Sequence, residues 1–490
     1  MGLGYIAAYL KEHNHDVKIL DVVAEGAGNI EKRGNFVRTG LKEGQIKKHI
    51  QGFKPDLVGI TTMFTSYAQD SHDVARLVKE VDKNILVVFG GVHATACPEM
   101  VMSDKNVDVI VKGEGERTIV ELVESLTNKL PLQQIAGTVV RVDEKLVNNE
   151  DRPFIEDLDT LPLPAREIFP MDVYLRGAKL VYSMRQPVMD MITSRGCPCN
   201  CSYCGIHAVW KHSWRGRSAT NVVDEIEYLM QQYGAREFRF IDDSVSADRA
   251  RMHEICDEIM RRKLDIRWTT PNGIAIWTLD EPLLKEMYRS GCYRLTFGIE
   301  SGNEPTQRFI GKIMKFDQTN RIIRAANRLG MWTLATFIIG FPYETKDQIM
   351  ETIEFSKKLD IDIAFYNVLM PFPATRVYEV FLKEGLLPSN QSLDFFNAFT
   401  GKGGGCDTTL LKKQELAELS DIAHHEFFRS RLIKFMNPSR IISKVRNFES
   451  AGYIFKLLRG VMSYSTGEFE TKSNPEKRFL KKSKNAEISD

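Results

Sequence analysis

Four cysteines fall within eight residues of this chain, Cys197, Cys199, Cys201 and Cys204, inside the run Thr193-Ser194-Arg195-Gly196-Cys197-Pro198-Cys199-Asn200-Cys201-Ser202-Tyr203-Cys204. Three thiolates separated as Cys197-x-x-x-Cys201-x-x-Cys204 can each take one iron of a cubane 4Fe-4S cluster and leave the fourth iron open to an exogenous ligand. An open iron is a reactive one. Cys199, Cys201 and Cys204 are spaced too tightly for the same wrap, so Cys197, Cys201 and Cys204 are the expected ligands and Cys199 a bystander. Zinc is the rival, but it wants four ligands in two separated pairs, and His207 and His212 lack the usual spacing from such pairs. Inert packing is disfavoured too, because four cysteines in eight residues beside Gly and Pro do not make one face of a strand or helix. The other four, Cys97, Cys256, Cys292 and Cys406, are scattered and too few for a disulfide scaffold.

A reactive loop needs elements to hold it. VMDMITS at 188–194 runs directly into the cysteines as a strand, and five more strand-like runs follow: EFRFID at 237–242, DIRWTT at 265–270, RLTFGIE at 294–300, TLATFIIG at 333–340 and IAFYNVLMP at 363–371. The segments between them have helical patterns, one of them stopped by Gly291. Six such repeats predict a partial (β/α)6 barrel over 188–385, with chemistry at the C-terminal ends of its strands. Upstream, VKIL at 17–20, LVGITTM at 57–63, ILVVFGG at 85–91 and VDVIVKG at 107–113 alternate with helical segments and predict a Rossmann-like parallel sheet within residues 1–150. Its notable loops, Thr61 and Thr62, Gly90-Gly91-Val92-His93-Ala94-Thr95 and Gly113-Glu114-Gly115-Glu116, all follow strand ends, where open α/β sheets place ligands. TVVRV at 138–142 and KLVNN at 145–149 read as a hairpin, and the proline-rich 151–187 as a linker. Beyond GKGGG at 401–405 a mainly helical region, 386–490, ends in a polar tail; residues 411–490 carry sixteen Lys and Arg against ten Asp and Glu.

Composition narrows the function classes. The 490 residues exceed the usual ~100 to 200 per domain, so more than one core is expected. The net charge of +1 provides no global field for nucleic acid or anionic membrane, and no apolar run, the longest near Leu334 to Phe341, approaches the ~18 residues that span a bilayer. MGLGYIAAYLKEH lacks a basic leader, an apolar core and a small-residue cleavage site, so a reducing cytoplasm is the expected setting.

The cysteine pattern, with Tyr203 before its last member and a βα barrel behind it, resembles the radical S-adenosylmethionine enzymes. In that family the open iron chelates S-adenosylmethionine, and one-electron transfer cleaves it to methionine and a deoxyadenosyl radical. Gly298-Ile299-Glu300-Ser301-Gly302 resembles the family's segment at the ribose and amino-acid part, and Gly340-Phe341-Pro342-Tyr343-Glu344 its adenine-side turn. Phe240-Ile241-Asp242-Asp243 replaces the commoner glycine-rich turn, as in one subgroup with a cobalamin-binding domain before the barrel. Residues 1–130 resemble that domain, and the resemblance runs over about residues 1–375. It implies a cobalamin-dependent enzyme of the class B methyltransferase type that methylates an unactivated carbon of a small molecule, using two molecules of S-adenosylmethionine per turnover and an external one-electron donor of flavodoxin or ferredoxin type. The implied cofactor-binding residues are Tyr203, Asp243, Glu300, Ser301 and Gly340 for S-adenosylmethionine, and Thr61, Thr62, Gly90, Gly91, His93, Gly113 and Glu114 for cobalamin.

Two departures stand out. No Asp-x-His-x-x-Gly motif occurs, so base-off cobalamin without that histidine below cobalt is expected, with His93 either a lower ligand or a hydrogen-bonding neighbour. The chain also opens on a helix with no strand before it, so either the start is misassigned or truncated or the sheet lacks one element. Trp210, Trp214 and Arg215-Gly216-Arg217 either line the cofactor mouth or pack on the barrel; Asp242 and Asp243 either do acid–base work or orient ligand; Tyr366 and Arg376 either face substrate or pack. Three rivals remain: a cobalamin-dependent radical cyclase without methyl transfer, a transfer-RNA methylthiolating enzyme, against which the lone N-terminal Cys97 argues, and a non-enzymatic cobalamin-binding regulator, against which the intact cysteine triad argues.

Overall fold

The computed structural model describes residues 1–456 except 34–35, 178–182, 389–390, 392, 394, 397–404, 436–443 and 446–448. Most of the GKGGG run and all of the expected polar tail, 457–490, therefore lie outside the described residues.

After the first helix, Gly2–Glu12, a short hairpin, β1 (Ile30–Arg33) and β2 (Phe36–Thr39), precedes a five-stranded sheet in the order β3 (Leu57–Thr61), β4 (Leu86–Gly90), β5 (Val109–Val111), β6 (Thr138–Val142), β7 (Lys145–Asn148). β3, β4 and β5 run parallel, as their helix-length connections require. β6 and β7 are antiparallel, so the expected parallel sheet is mixed. The reason is local: Asp143 and Glu144 both have positive φ, which closes a tight two-residue turn pairing Val142 with Lys145. The sheet buries both faces, one beneath Ile46, Leu77 and Val101, the other beneath Leu10, Ile119 and Leu122.

VKIL at 17–20 is not a strand. Ile19 instead packs on the first helix with Ala7 and Ala8, and β3 has no described strand on its outer edge. A strand needs a ladder partner, and among the described residues this segment has none.

The six barrel strands stand where the sequence predicts them: β8 (Val188–Met191), β11 (Glu237–Phe240), β12 (Arg267–Ile274), β13 (Cys292–Glu300), β14 (Trp332–Ile339) and β15 (Ile363–Val368), all parallel and adjacent in chain order, an open barrel. Alternation puts Met189, Phe238, Leu295, Phe337 and Tyr366 outward into one core with the surrounding helices. Between β8 and β11 sits a second hairpin, β9 (Ser194–Gly196) and β10 (Trp214–Gly216). Helix Lys413–Phe435 closes over β15, and Tyr453 packs beside Tyr293 and Trp332 at the strands' N-terminal ends. The proline-rich 151–187 is well anchored where described: Ile155, Leu158 and Leu161 are buried with Tyr5, and Arg166 pairs with the buried Glu225 at 2.6 Å.

Candidate active site at the cluster loop and the facing sheet

All four clustered cysteines lie on the loop between β9 and β10. A Cβ on Gly196 (φ +92°) would come within 2.1 Å of Ser213 O, so only glycine lets the loop close. Backbone bonds then pin the loop: Ser202 N–H donates to Ile310 O at 2.8 Å, Val377 N–H to Ser202 O at 3.0 Å, and Arg376 Nη2 to Asn200 O at 2.8 Å. Below it, buried Asp242 accepts from Thr193 N (2.9 Å), Thr193 Oγ1 (2.8 Å) and Ser194 Oγ (2.6 Å) through one oxygen. Asp242 thus shapes the strand entering the loop. Among the described residues no three His, Cys, Asp or Glu side chains converge as they would on a single metal ion. Three thiolates on one loop fit a cubane, which takes one thiolate per iron. A hydrogen bond from the Cys199 thiol holds Cys197 down at about 6, whereas burial pushes Cys204 up to about 12 and raises Cys201.

The C-terminal end of β13 supplies the next groups. Glu300 is buried with φ +70°, a conformation uncommon for a residue with a side chain, and a bulge separates it from Gly298. The bulge turns its carboxylate towards Lys312 Nζ at 3.2 Å. A Cβ on Gly298 would lie 2.6 Å from Glu300 Oε1 and 3.0 Å from Lys312 Nζ, so this glycine makes room for the pair. Burial, then the Glu300 and Cys201 charges, drive Tyr203 well above its ordinary pKa; it also bonds Glu300 and sets its ring edge-on to Phe341 at 6.3 Å. Ser301 is fully buried, its Oγ 3.0 Å from Thr352 Oγ1, and it braces the turn. Gly340 (φ +89°) donates to Glu344 at 2.7 Å, and burial pushes that carboxyl up to about 7. Asp243 opens onto the mouth; poor hydration there and the Asp242 charge push it up to about 6. Lys312, which no spacing signal marks, completes this group.

Facing the loop are the strand ends of the N-terminal sheet, whose helix Val92–Ala96 packs on the cluster-loop helix His207–Trp210. Thr61 is exposed and Thr62 buried, and His93 is buried with Nδ1 3.0 Å from Thr65 Oγ1; burial lowers its pKa to about 4, so its ring is neutral. Four buried atoms here, Thr62 Oγ1, Ser66 Oγ, His72 Nε2 and His93 Nε2, have no hydrogen-bond partner in the protein. Such orphans are costly, and a ligand rich in amide and phosphate groups would satisfy them, so these residues fit cobalamin. A Cβ on Gly91 (φ +96°) would lie 2.7 Å from Thr62 O, which shows that this glycine serves the loop's own closure; Gly90 meets nothing closer than 3.8 Å. Gly113 (φ +66°) has open space around it. Glu114 turns its carboxylate away from the sheet end, to Arg195 and Arg215 of the barrel hairpin.

Other residues resolve to packing. Tyr366 is buried on the helix-facing side, bonded to Ser356; Trp214 Nε1 donates to Ser244 O at 2.8 Å; Arg376 supports the loop, as above. Arg195 was given no role by the sequence, and although Arg215 and Glu116 were picked out there, their pairing across the two regions was not foreseen.

Residues 1–123 match the B12 binding domain model and residues 191–356 the radical SAM superfamily model. The chain is 34% identical over 465 residues to an uncharacterized methyltransferase of Pyrococcus horikoshii, covering 94% of this chain and 93% of that one. It is 30% identical to the cytidylyl-2-hydroxyethylphosphonate methyltransferase of Streptomyces wedmorensis, covering 87% and 85%. Among solved structures it is similar in fold to the radical S-adenosylmethionine methyltransferase TsrM from Kitasatospora setae. The form with tryptophan and an S-adenosylmethionine analogue gives a TM-score of 0.69 at 17% identity, covering 88% and 86%; the form with cobalamin and a [4Fe-4S] cluster gives 0.66.

Proposed function

Since the chain belongs to the cobalamin-dependent radical S-adenosylmethionine enzymes, with a 4Fe-4S cluster, S-adenosylmethionine and cobalamin as its cofactors, we propose that it transfers a methyl group to an unactivated carbon of a small molecule. The observation that carries this reading is the packing of helix Val92–Ala96, from the N-terminal sheet, on helix His207–Trp210 of the cluster loop, which supports two cofactor sites that face each other. The methyltransferase names of the Pyrococcus and Streptomyces relatives support it.

When bound, the cluster supplies the electron that cleaves S-adenosylmethionine, and cobalamin carries the methyl group. The rest falls to the chain. Cys197, Cys201 and Cys204 hold three irons, and the Glu300–Lys312 pair offers one carboxylate and one ammonium to the amino and carboxylate ends of S-adenosylmethionine. Tyr203 and Ser301 fix Glu300 and its turn, Gly340 and Phe341 form the adenine-side wall, and Asp243 orients ligand at the mouth. Thr61, Thr62, Gly90, Gly91, His93 and the backbone at Gly113 hold cobalamin, with His93 a neutral hydrogen-bonding neighbour. In this reading residues 1–150 carry cobalamin, 151–187 link, 188–385 carry the cluster and 386–490 form the C-terminal region, whose helix Lys413–Phe435 covers β15. The enzyme works in a reducing cytoplasm with an external one-electron donor. No helix among the described residues is long and apolar enough to cross a membrane.

The test is anaerobic turnover of candidate small molecules with methyl-deuterated S-adenosylmethionine, read by mass spectrometry. A product heavier by the labelled methyl supports the reading; deoxyadenosine release with an altered but unmethylated product returns the ring-forming alternative.

A further inference from the structure

The turn after β5 and the hairpin that carries the cluster loop are joined by four buried charges. Arg195 and Arg215 sit opposite each other on β9 and β10, one on each strand flanking the cysteine loop. Arg195 Nη1 donates to Glu114 Oε1 at 2.6 Å and its Nη2 to Glu116 Oε1 at 2.6 Å. Arg215 Nη1 donates to both Glu114 oxygens, at 3.1 and 2.9 Å, and to Ile155 O at 2.6 Å, while Ile155 N–H fills Glu114 Oε2 at 2.8 Å. The guanidiniums also lie over aromatic rings, Arg195 over Tyr5 at 5.2 Å and Arg215 over Phe154 at 4.6 Å. All four charged residues are buried.

The network continues into the cobalamin side. Gly113 N–H donates to Thr95 Oγ1 at 3.1 Å, and Thr95 Oγ1 donates to Gly91 O at 3.0 Å. One bonded path therefore runs from the Gly91 turn through Thr95, Gly113 and Glu114 to Arg195, two residues before Cys197. Buried ion pairs stabilise little compared with apolar packing of the same volume, and here Arg215 Nε and Nη2 are left without partners. What forked guanidinium–carboxylate pairing does provide is a fixed angle and distance.

We propose that Glu114 is a positioning residue: with Arg195 and Arg215 it clamps the cluster-bearing hairpin onto the cobalamin-bearing sheet, so that the two cofactors keep one separation while substrate lies between them. The idea rests on the cofactor reading above. Breaking the clamp leaves each cofactor in its own site and loosens their mutual geometry.

The experiment uses the full chain. Glu114→Gln, which preserves shape, and Glu114→Ala are compared with Lys79→Met, a control that breaks the Lys79–Asp108 pair (2.6 Å) wholly inside the N-terminal domain. After reconstitution with iron, sulfide and hydroxocobalamin, the dipolar coupling between cob(II)alamin and the reduced cluster is read by electron paramagnetic resonance. Expected are wild-type iron and cobalamin contents in Glu114→Gln, a coupling that is single-valued in wild type and in Lys79→Met, and a broadened or lost coupling in Glu114→Gln. On the cofactor-free chain, amide hydrogen exchange at both 113–116 and 194–196 should rise about tenfold or more in Glu114→Gln but not in Lys79→Met. An unchanged coupling with unchanged exchange overturns the proposal, as does loss of cobalamin with wild-type exchange at 194–196, which would make Glu114 a cofactor contact. If the wild-type chain takes up no cobalamin, the functional reading fails, and the exchange measurement still decides the clamp. Should Glu114→Ala not fold, Glu114→Gln carries the test.

Discussion

The barrel mouth and the facing sheet end are built on opposite plans. At the mouth the charged groups have partners, Glu300 with Lys312 and Tyr203, and Asp242 through Oδ1 with Thr193 and Ser194, its Oδ2 being left without one. At the sheet end Thr62 Oγ1, Ser66 Oγ and His93 Nε2, none of them on a carboxylate or ammonium group, are buried with no partner in the protein. The difference matches what the proposed function asks each to hold. A small zwitterion is recognised by opposite charges set in advance, whereas a large neutral-edged corrin with an amide- and phosphate-bearing tail is recognised by shape and by many single hydrogen bonds.

Substitutions can break that contrast. The largest effect should come from the cluster: Cys201→Ala abolishes iron–sulfur uptake and S-adenosylmethionine cleavage, while Cys199→Ala retains both, as anaerobic iron and sulfide analysis would show. Loss in Cys199→Ala with retention in Cys201→Ala would reverse the ligand assignment. Next, Glu300→Gln and Lys312→Met should each weaken S-adenosylmethionine binding by about ten- to a hundredfold, about 1.4 to 3 kcal/mol, with iron content intact. Equilibrium binding to the reconstituted enzyme checks this, and unchanged affinity in both would remove the pair from the site.

Smaller effects belong to the sheet. Gly91→Val forces a side chain into positive φ against Thr62 O and should lower stability by about 1 to 3 kcal/mol together with cobalamin uptake, whereas Gly90→Ala should leave thermal unfolding near wild type. Differential scanning calorimetry with cobalamin titration separates the two. The smallest is His93. Its folded pKa of about 4 lies below the unfolded value near 6.5, so the unfolded chain binds the extra proton and stability falls as pH drops through that window. Wild type should lose about 1 kcal/mol relative to His93→Gln between pH 7 and 5.5, measured by urea unfolding.

How much of this was legible in the sequence depended on how local the cause was. Barrel strands were readable because each buries an alternating face, and the cysteine loop because its ligands are close in the chain. VKIL misled because a strand is a property of its neighbour as well as of its residues, and no described strand lies beside it. The antiparallel addition of β6 and β7 was half visible as a hairpin, but its pairing with β5 was not. Lys312 reaches Glu300 across twelve residues and a bulge, and Glu114 reaches Arg195 across eighty-one; neither distance leaves a periodic trace. Glu114 was noticed for its glycine neighbours, and its partner was chosen by the tertiary fold.

The most direct test of the central claim, that the two regions serve one reaction, is anaerobic reconstitution with iron, sulfide and cobalamin, followed by reduction with methyl-deuterated S-adenosylmethionine present. A cluster and cobalamin should be held together in the same chain, deoxyadenosine should be released, and labelled methyl should be found on the protein-bound cobalamin. Deoxyadenosine release from a chain that takes up no cobalamin and moves no labelled methyl would contradict that claim.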